Sequence, residues 1–92
     1  MSLYRRNPRR DANEGDVVAA CRALGWKVKA ISAAGFCDLV VQDASGRTLL
    51  LEVKTADGKP TPAQIKARAE GWQIATVRSV DEALALLREV RA

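Results

Sequence analysis

The sequence predicts a mixed α/β domain with the element order α-β-β-β-α-β-α and a four-stranded mixed sheet flanked by helices. Three observations carry that reading. Strand-length apolar runs at residues 26–31, 37–42 and 48–54 follow one another with only short loops between them. Helical signals bracket those runs: a stripe of Val17, Val18, Cys21 and Leu24 before them, and two helix starts after them, at Thr61-Pro62 and at Ser79 with Glu82. A fourth apolar run, residues 73–78, lies between the last two helices. A hairpin-rich opening closed by one β-α-β crossover makes the sheet mixed.

The first helix is expected to start at Asp11 or Asn13, either of which can accept from the free amides of a first turn, and to run to about Leu24 with Gly25 as its stop. Glu14 lies three residues before Val17, four before Val18 and seven before Cys21. It therefore extends the inward stripe by one turn, towards the edge of the core. Trp26-Lys27-Val28-Lys29-Ala30-Ile31 alternates as a half-buried strand does. Residues 32–35 form a small-residue loop, and Asp43-Ala44-Ser45-Gly46 is a turn between the second and third strands. Residues 55–59 are a flexible link to Thr61, an N-cap, with Pro62 as the first helical residue and an end near Gly71. Ser79 and Glu82 have capping-box spacing, and Ala83, Leu84, Leu86, Leu87 and Val90 supply the apolar content of the last helix. Trp26 and Trp72 read as core or interface residues.

Ninety-two residues suit one domain near the size at which a single core is only marginally self-sufficient. Hydrophobic residues make up 48% and aromatics only 4%, so the core rests on Val, Leu, Ile and Ala. A homodimer would bury the additional area that so lean a core lacks. Fifteen Lys and Arg against eleven Asp and Glu give a charge of +4, much of it local to Arg5, Arg6, Arg9 and Arg10. Residues 1–10 read as a basic arm and residues 11–92 as the domain. Such an arm can track phosphates, and its composition is also that of a solvated tail.

Cys21 and Cys37 lack metal-ligand spacing and suit buried free thiols in a reducing compartment. No apolar run nears membrane-spanning length, and no signal-peptide pattern opens the chain. The expectation is a soluble, cytoplasmic domain with no membrane partner. With no histidine, His-based catalysis and His-ligated zinc are excluded.

The chemistry concentrates between residues 38 and 54. Asp38 opens the second strand, and Leu49-Leu50-Leu51-Glu52-Val53-Lys54 closes the third. An unpartnered charge in such apolar surroundings costs several kcal/mol, on the order of 2–7 even for a neutral polar group. Antiparallel pairing across the turn brings Asp38 and Glu52 together. Two adjacent carboxylates suit Mg²⁺, with the Val53 carbonyl as a further oxygen. Lys54 shares a face with Glu52 because side chains alternate along a strand. There its ammonium would orient a water or neutralise charge developing on a phosphate.

An acid opening one strand, followed on the next by Glu52-Val53-Lys54, resembles the PD-(D/E)XK nuclease superfamily. Further segments are similar to its small phage and bacterial VRR-NUC-like members. Arg10-Asp11-Ala12-Asn13-Glu14 looks like their first-helix segment, Gly35-Phe36-Cys37-Asp38 like their Gly-x-Pro-Asp, and Thr61-Pro62-Ala63-Gln64 like their Thr-Pro-x-Gln. Val77-Arg78-Ser79-Val80-Asp81-Glu82-Ala83 looks like their closing strand-to-helix junction. The matches extend from about Arg10 to Leu87. Two departures stand out: Cys37 replaces the usual proline, and the segment between Lys54 and Thr61 is short.

The resemblance implies a restriction-endonuclease-like core and a metal-dependent DNA endonuclease hydrolysing phosphodiester bonds with Mg²⁺ or Mn²⁺. Glu14, Asp38 and Glu52, with the Val53 carbonyl, would hold the metal; Lys54 would assist water attack, and Gln64 would lie beside the site. Arg5, Arg6, Arg9, Arg10 and Lys59 are the candidate DNA contacts, with Lys66 and Arg68 as further phosphate candidates. Branched, flapped or Holliday-junction DNA is the implied substrate, in a bacterial or phage-infected cell. The competing reading is a catalytically inactive nuclease-fold module that binds DNA.

Overall fold

A computed structural model describes residues 8–31 and 36–91. The chain forms α1 (Pro8–Ala23), β1 (Lys27–Ala30), β2 (Leu39–Gln42), β3 (Thr48–Val53), α2 (Pro62–Ala69), β4 (Ile74–Val77) and α3 (Val80–Arg91). This is the expected order, and the sheet is mixed, in the spatial order β1-β2-β3-β4. β1, β2 and β3 pair antiparallel, whereas β4 joins β3 in parallel after the α2 crossover. Arg5 and Arg6, the loop at 32–35 and much of the expected basic arm lie outside the described residues.

Local chemistry sets the element ends. Asp43 Oδ1 accepts from the Ser45 amide at 2.9 Å and the Arg47 amide at 3.0 Å, and Gly46 takes a φ of +91° to close the turn into β3. α2 carries a full capping box: Thr61 Oγ1 accepts the Gln64 amide, and Gln64 Oε1 accepts the Thr61 amide. At α3 only half of the box forms. Ser79 Oγ accepts from the Glu82 amide, while the Glu82 carboxylate accepts from Arg78 N–H rather than from Ser79.

Helices α1 and α2 end alike. Gly25 and Gly71 sit at φ of +91° and +104°, and the tryptophan after each donates its amide five residues back, Trp26 to Cys21 and Trp72 to Ala67. This is the Schellman arrangement, for which glycine is the least strained residue. The two tryptophans then diverge. Trp26 is buried, whereas Trp72 is 52% exposed and stands edge-on to Phe36, with ring centroids 5.1 Å apart. Trp72 is thus not a core residue.

Two apolar layers sandwich the sheet. Val17 and Cys21 of α1 and Ala83 and Leu87 of α3 pack with Leu39, Val41, Leu51, Val53 and Val77 on one face. On the other face, Ala67 of α2 packs with Cys37 and Ile74, flanked by Val40 and Leu50. Odd-numbered residues of β3 therefore face α1 and α3, and even-numbered ones face α2.

The start of the first helix needs correction. α1 begins at Pro8, so Asp11 and Asn13 lie inside the helix rather than capping it, and Arg9 and Arg10 belong to its first turn. Asn13 has a tertiary role instead, described below. β1 lies at the edge of the sheet and keeps the expected alternation, with Lys27 and Lys29 exposed and Val28 half-buried against the larger layer; Ala30 alone departs from it. Leu51 sits at the centre of the larger layer, fully buried. Leu51→Ala should lower the unfolding free energy by about 2–5 kcal/mol. Lys29→Ala should change it by less than about 0.5 kcal/mol; chemical denaturation of both variants checks the contrast.

Candidate active site

Among the described residues, the buried polar or charged side chains are Asp38, Glu52 and Gln64, all three expected at the site from the sequence. The β2–β3 ladder brings the first two together. Leu39 pairs with Leu51, so the next step of the ladder sets Asp38 across from Glu52. At that step the ladder changes character: the Asp38 amide donates to the Leu51 carbonyl at 2.9 Å, and Asp38 Oδ2 accepts the Val53 amide at 2.7 Å. A carboxylate thus replaces a backbone acceptor where β2 runs out, meeting a buried N–H that would otherwise be unsatisfied. The Asp38 carbonyl accepts from Ile31 N–H, which continues the register of β1.

Glu52 lies on the even-numbered face, beneath α2, with its side chain wholly shielded from solvent. Its neighbours are loosely placed. Arg68 Nη2 of α2 approaches Oε1 at 3.5 Å, and Thr76 Oγ1 of β4 stands 3.5 Å from Oε2. Oε1 has no hydrogen-bond partner. A buried carboxylate oxygen without a donor is unusual, and it has capacity left for a ligand. Gln64 sits at the rim, its Nε2 3.4 Å from the Phe36 carbonyl, so the α2 cap is also tied to the segment leading into Asp38.

Lys54 follows β3 and is half-buried, and its amide donates to the Val77 carbonyl at 3.0 Å. Its carbonyl accepts from Asn13 Nδ2 at 3.0 Å, which fastens α1 to the end of β3 across 41 residues of sequence. The adjacent Glu14 is half-buried in the same turn of α1. Gly58 packs so closely that a Cβ there would stand 3.3 Å from Lys54 Cβ. Arg78 Nη1, at the end of β4, donates to the carbonyls of Thr55, Ala56 and Gly58 at 2.9, 3.3 and 2.6 Å. One guanidinium therefore gathers the loop that follows Lys54.

The residues do not all converge. Among the described residues, no group of three or more His, Cys, Asp or Glu side chains is placed to hold a metal ion, so Glu14 does not join Asp38 and Glu52 in one cluster. The physical reason is visible at each acid: Asp38 turns to the Val53 amide, and Glu52 lies beside Arg68 and Thr76. The two buried carboxylates, with the open valence of Glu52 Oε1, still fit a hard divalent cation. Lys59 and Lys66 are exposed, as phosphate contacts require, whereas Arg68 is drawn inward. Burial pushes the Cys37 thiol above its ordinary value of 9.0, with the Asp38 charge adding to the rise, so the thiol stays protonated at neutral pH.

Sequence reasoning missed the roles of Asn13, Arg68 and Arg78. The partners of Asn13 and Arg78 lie 20 or more residues away, and those of Arg68 sit on β3 and β4, so a local pattern cannot distinguish an anchored arginine from a solvated one. Arg78→Ala should release the 55–58 loop. Each hydrogen bond from a charged group contributes about 1.5–3 kcal/mol, so amide exchange at Gly58 should quicken roughly tenfold to hundredfold while Leu51 keeps its protection. Hydrogen-exchange mass spectrometry checks this.

No family model matches the chain, and no curated protein matches it by sequence. Among solved structures, a chain described as a VRR_NUC domain matches with a TM-score of 0.73 and 23% identity, over 89% of this chain and 97% of that one. At that identity the likeness is one of architecture, and this chain has the fold of a VRR_NUC domain.

Proposed function

We propose that the protein is a divalent-metal-dependent DNA endonuclease that hydrolyses phosphodiester bonds. The observation that carries this reading is the fully buried Glu52 carboxylate, one oxygen of which has no donor, across the β2–β3 ladder from Asp38. A sheet that only needed filling would place an apolar residue at that position.

In this reading Asp38 and Glu52 would hold Mg²⁺ or Mn²⁺, with the Val53 carbonyl as a further oxygen donor. The bound cation supplies Lewis-acid polarisation of a phosphoryl oxygen and acidifies a water. Lys54, two residues beyond Glu52, presents an ammonium with no ion-pair partner among the described residues. It orients the attacking water and neutralises charge developing on the phosphate. Gln64 fixes the start of α2 against the Asp38 segment. Arg78 and Gly58 hold the backbone from which Lys54 projects.

DNA enters through its phosphates, with Lys59, Lys66 and the arginines at positions 5, 6, 9 and 10 as contacts. Shape and backbone guide the choice of substrate, and branched, flapped or Holliday-junction DNA is the proposed target. A second copy would supply a second active site for paired cuts. The exposed Ile65 and Trp72 are apolar surface that a homodimer could cover. Among the described residues, no helix is long and apolar enough to cross a membrane.

A second reading, a DNA-binding module without catalysis, is favoured by one observation: Arg68 already lies beside Glu52. Cleavage of labelled linear and branched DNA with Mg²⁺ or Mn²⁺ separates the two. Glu52→Ala and Lys54→Ala should each lower the rate by about 10²–10³-fold or more, with chelator abolishing cleavage by the wild type. Equal cleavage by both variants would dismiss the site. No cleavage by any form, with salt-sensitive DNA binding retained, would select the binding module.

A further inference from the structure

We propose that Arg68 is the resident counter-ion of Glu52 and competes with the divalent cation for it, so that Arg68 sets the metal affinity of the site. The inference rests on the reading of Glu52 as a metal ligand and adds a residue outside the acid-and-lysine motif.

The geometry separates two jobs that an arginine usually performs together. Its strong hydrogen bonds go to β4: Nε and Nη2 donate to the Ile74 carbonyl at 3.2 and 3.0 Å, and Nη2 donates to Thr76 Oγ1 at 2.7 Å. Towards Glu52 the same Nη2 reaches only 3.5 Å, and Oε1 is left without a donor. A pair built purely for structure closes to about 2.7–2.9 Å and is often bidentate. Here β4 anchors the guanidinium, and the carboxylate receives its charge without its hydrogen bonds.

Two consequences follow. In the metal-free protein, Arg68 offsets the charge of a carboxylate that has no access to solvent, which would otherwise be an uncompensated buried ion. When a divalent cation arrives, the same guanidinium is held nearby by Ile74 and Thr76 and repels it. Arg68 therefore stabilises the empty site and weakens the occupied one. The helix contributes accordingly: Gln64 and Arg68 are one turn apart on α2, one at the rim and one over Glu52.

The test uses the full chain, with Arg68→Met to remove the charge and Arg68→Lys to keep it. Thermal unfolding is followed with and without Mn²⁺, and Mn²⁺ binding is measured by calorimetry. Arg68→Met should melt lower than wild type without metal, bind Mn²⁺ about tenfold more tightly or better, and show a larger metal-induced rise in Tm. Arg68→Lys should bind Mn²⁺ within about threefold of wild type. If Arg68→Met is unfolded without metal, Mn²⁺ should restore its fold. An unaltered or weaker Mn²⁺ affinity in Arg68→Met, or an unfolded variant that Mn²⁺ does not rescue, overturns the proposal and leaves a purely structural arginine. Wild type that binds no Mn²⁺ at all overturns the metal-dependent reading as well, so the two failures are told apart.

Discussion

Asp38 is fastened twice to β3, through its amide to the Leu51 carbonyl and through its carboxylate to the Val53 amide. The rest of the site depends on this contact. It ends the β2–β3 ladder in a fixed register, which puts Leu51 and Val53 into the layer beneath α1 and α3 and leaves Glu52 on the face of α2. A slip of one residue would turn Glu52 into the larger apolar core and Leu51 out of it. The charged-group arrangement and the packing are therefore specified by the same pairing.

Around that pairing, the neighbouring elements contribute polar ties at or near the end of β3. α1 reaches the Lys54 carbonyl through Asn13, and β4 gathers the 55–58 loop through Arg78. α2 reaches Glu52 through Arg68 and the Phe36 carbonyl through Gln64. These ties cost stability if broken singly, because each would leave a part-buried polar group unmet. They also explain how a chain with so few aromatic residues holds a buried carboxylate in place. Rigidity at the site comes from hydrogen bonds between distant segments rather than from bulk.

Much of this was legible in the sequence because it rests on local rules. Alternation and turn residues revealed the strands, and Thr61 followed by Pro62 revealed the start of α2, although its capping box with Gln64 was not expected. Asp38 and Glu52 stood out as charged residues in apolar strand runs, and Gln64 followed from the resemblance of Thr61-Pro62-Ala63-Gln64; all three are buried. What escaped was tertiary. Asn13 looked like a cap because its side chain suits one, yet Lys54 offers it a carbonyl 41 residues away. Arg68 read as a phosphate candidate and Arg78 only as part of the closing strand-to-helix junction, since nothing local announces the carbonyls of Ile74, Thr55 and Gly58 that accept from them. Trp72 read as core or interface, and it stands exposed beside Phe36 rather than in the core.

The proposed site requires a divalent cation joining Asp38 to Glu52, and anomalous diffraction from crystals grown with Mn²⁺ addresses that most directly. The expected result is a single anomalous peak within coordinating distance of both carboxylates, with Glu52 Oε1 among the ligands. A Mn²⁺ ion bound elsewhere in a cleavage-competent protein, with Glu52 still beside Arg68, would contradict it.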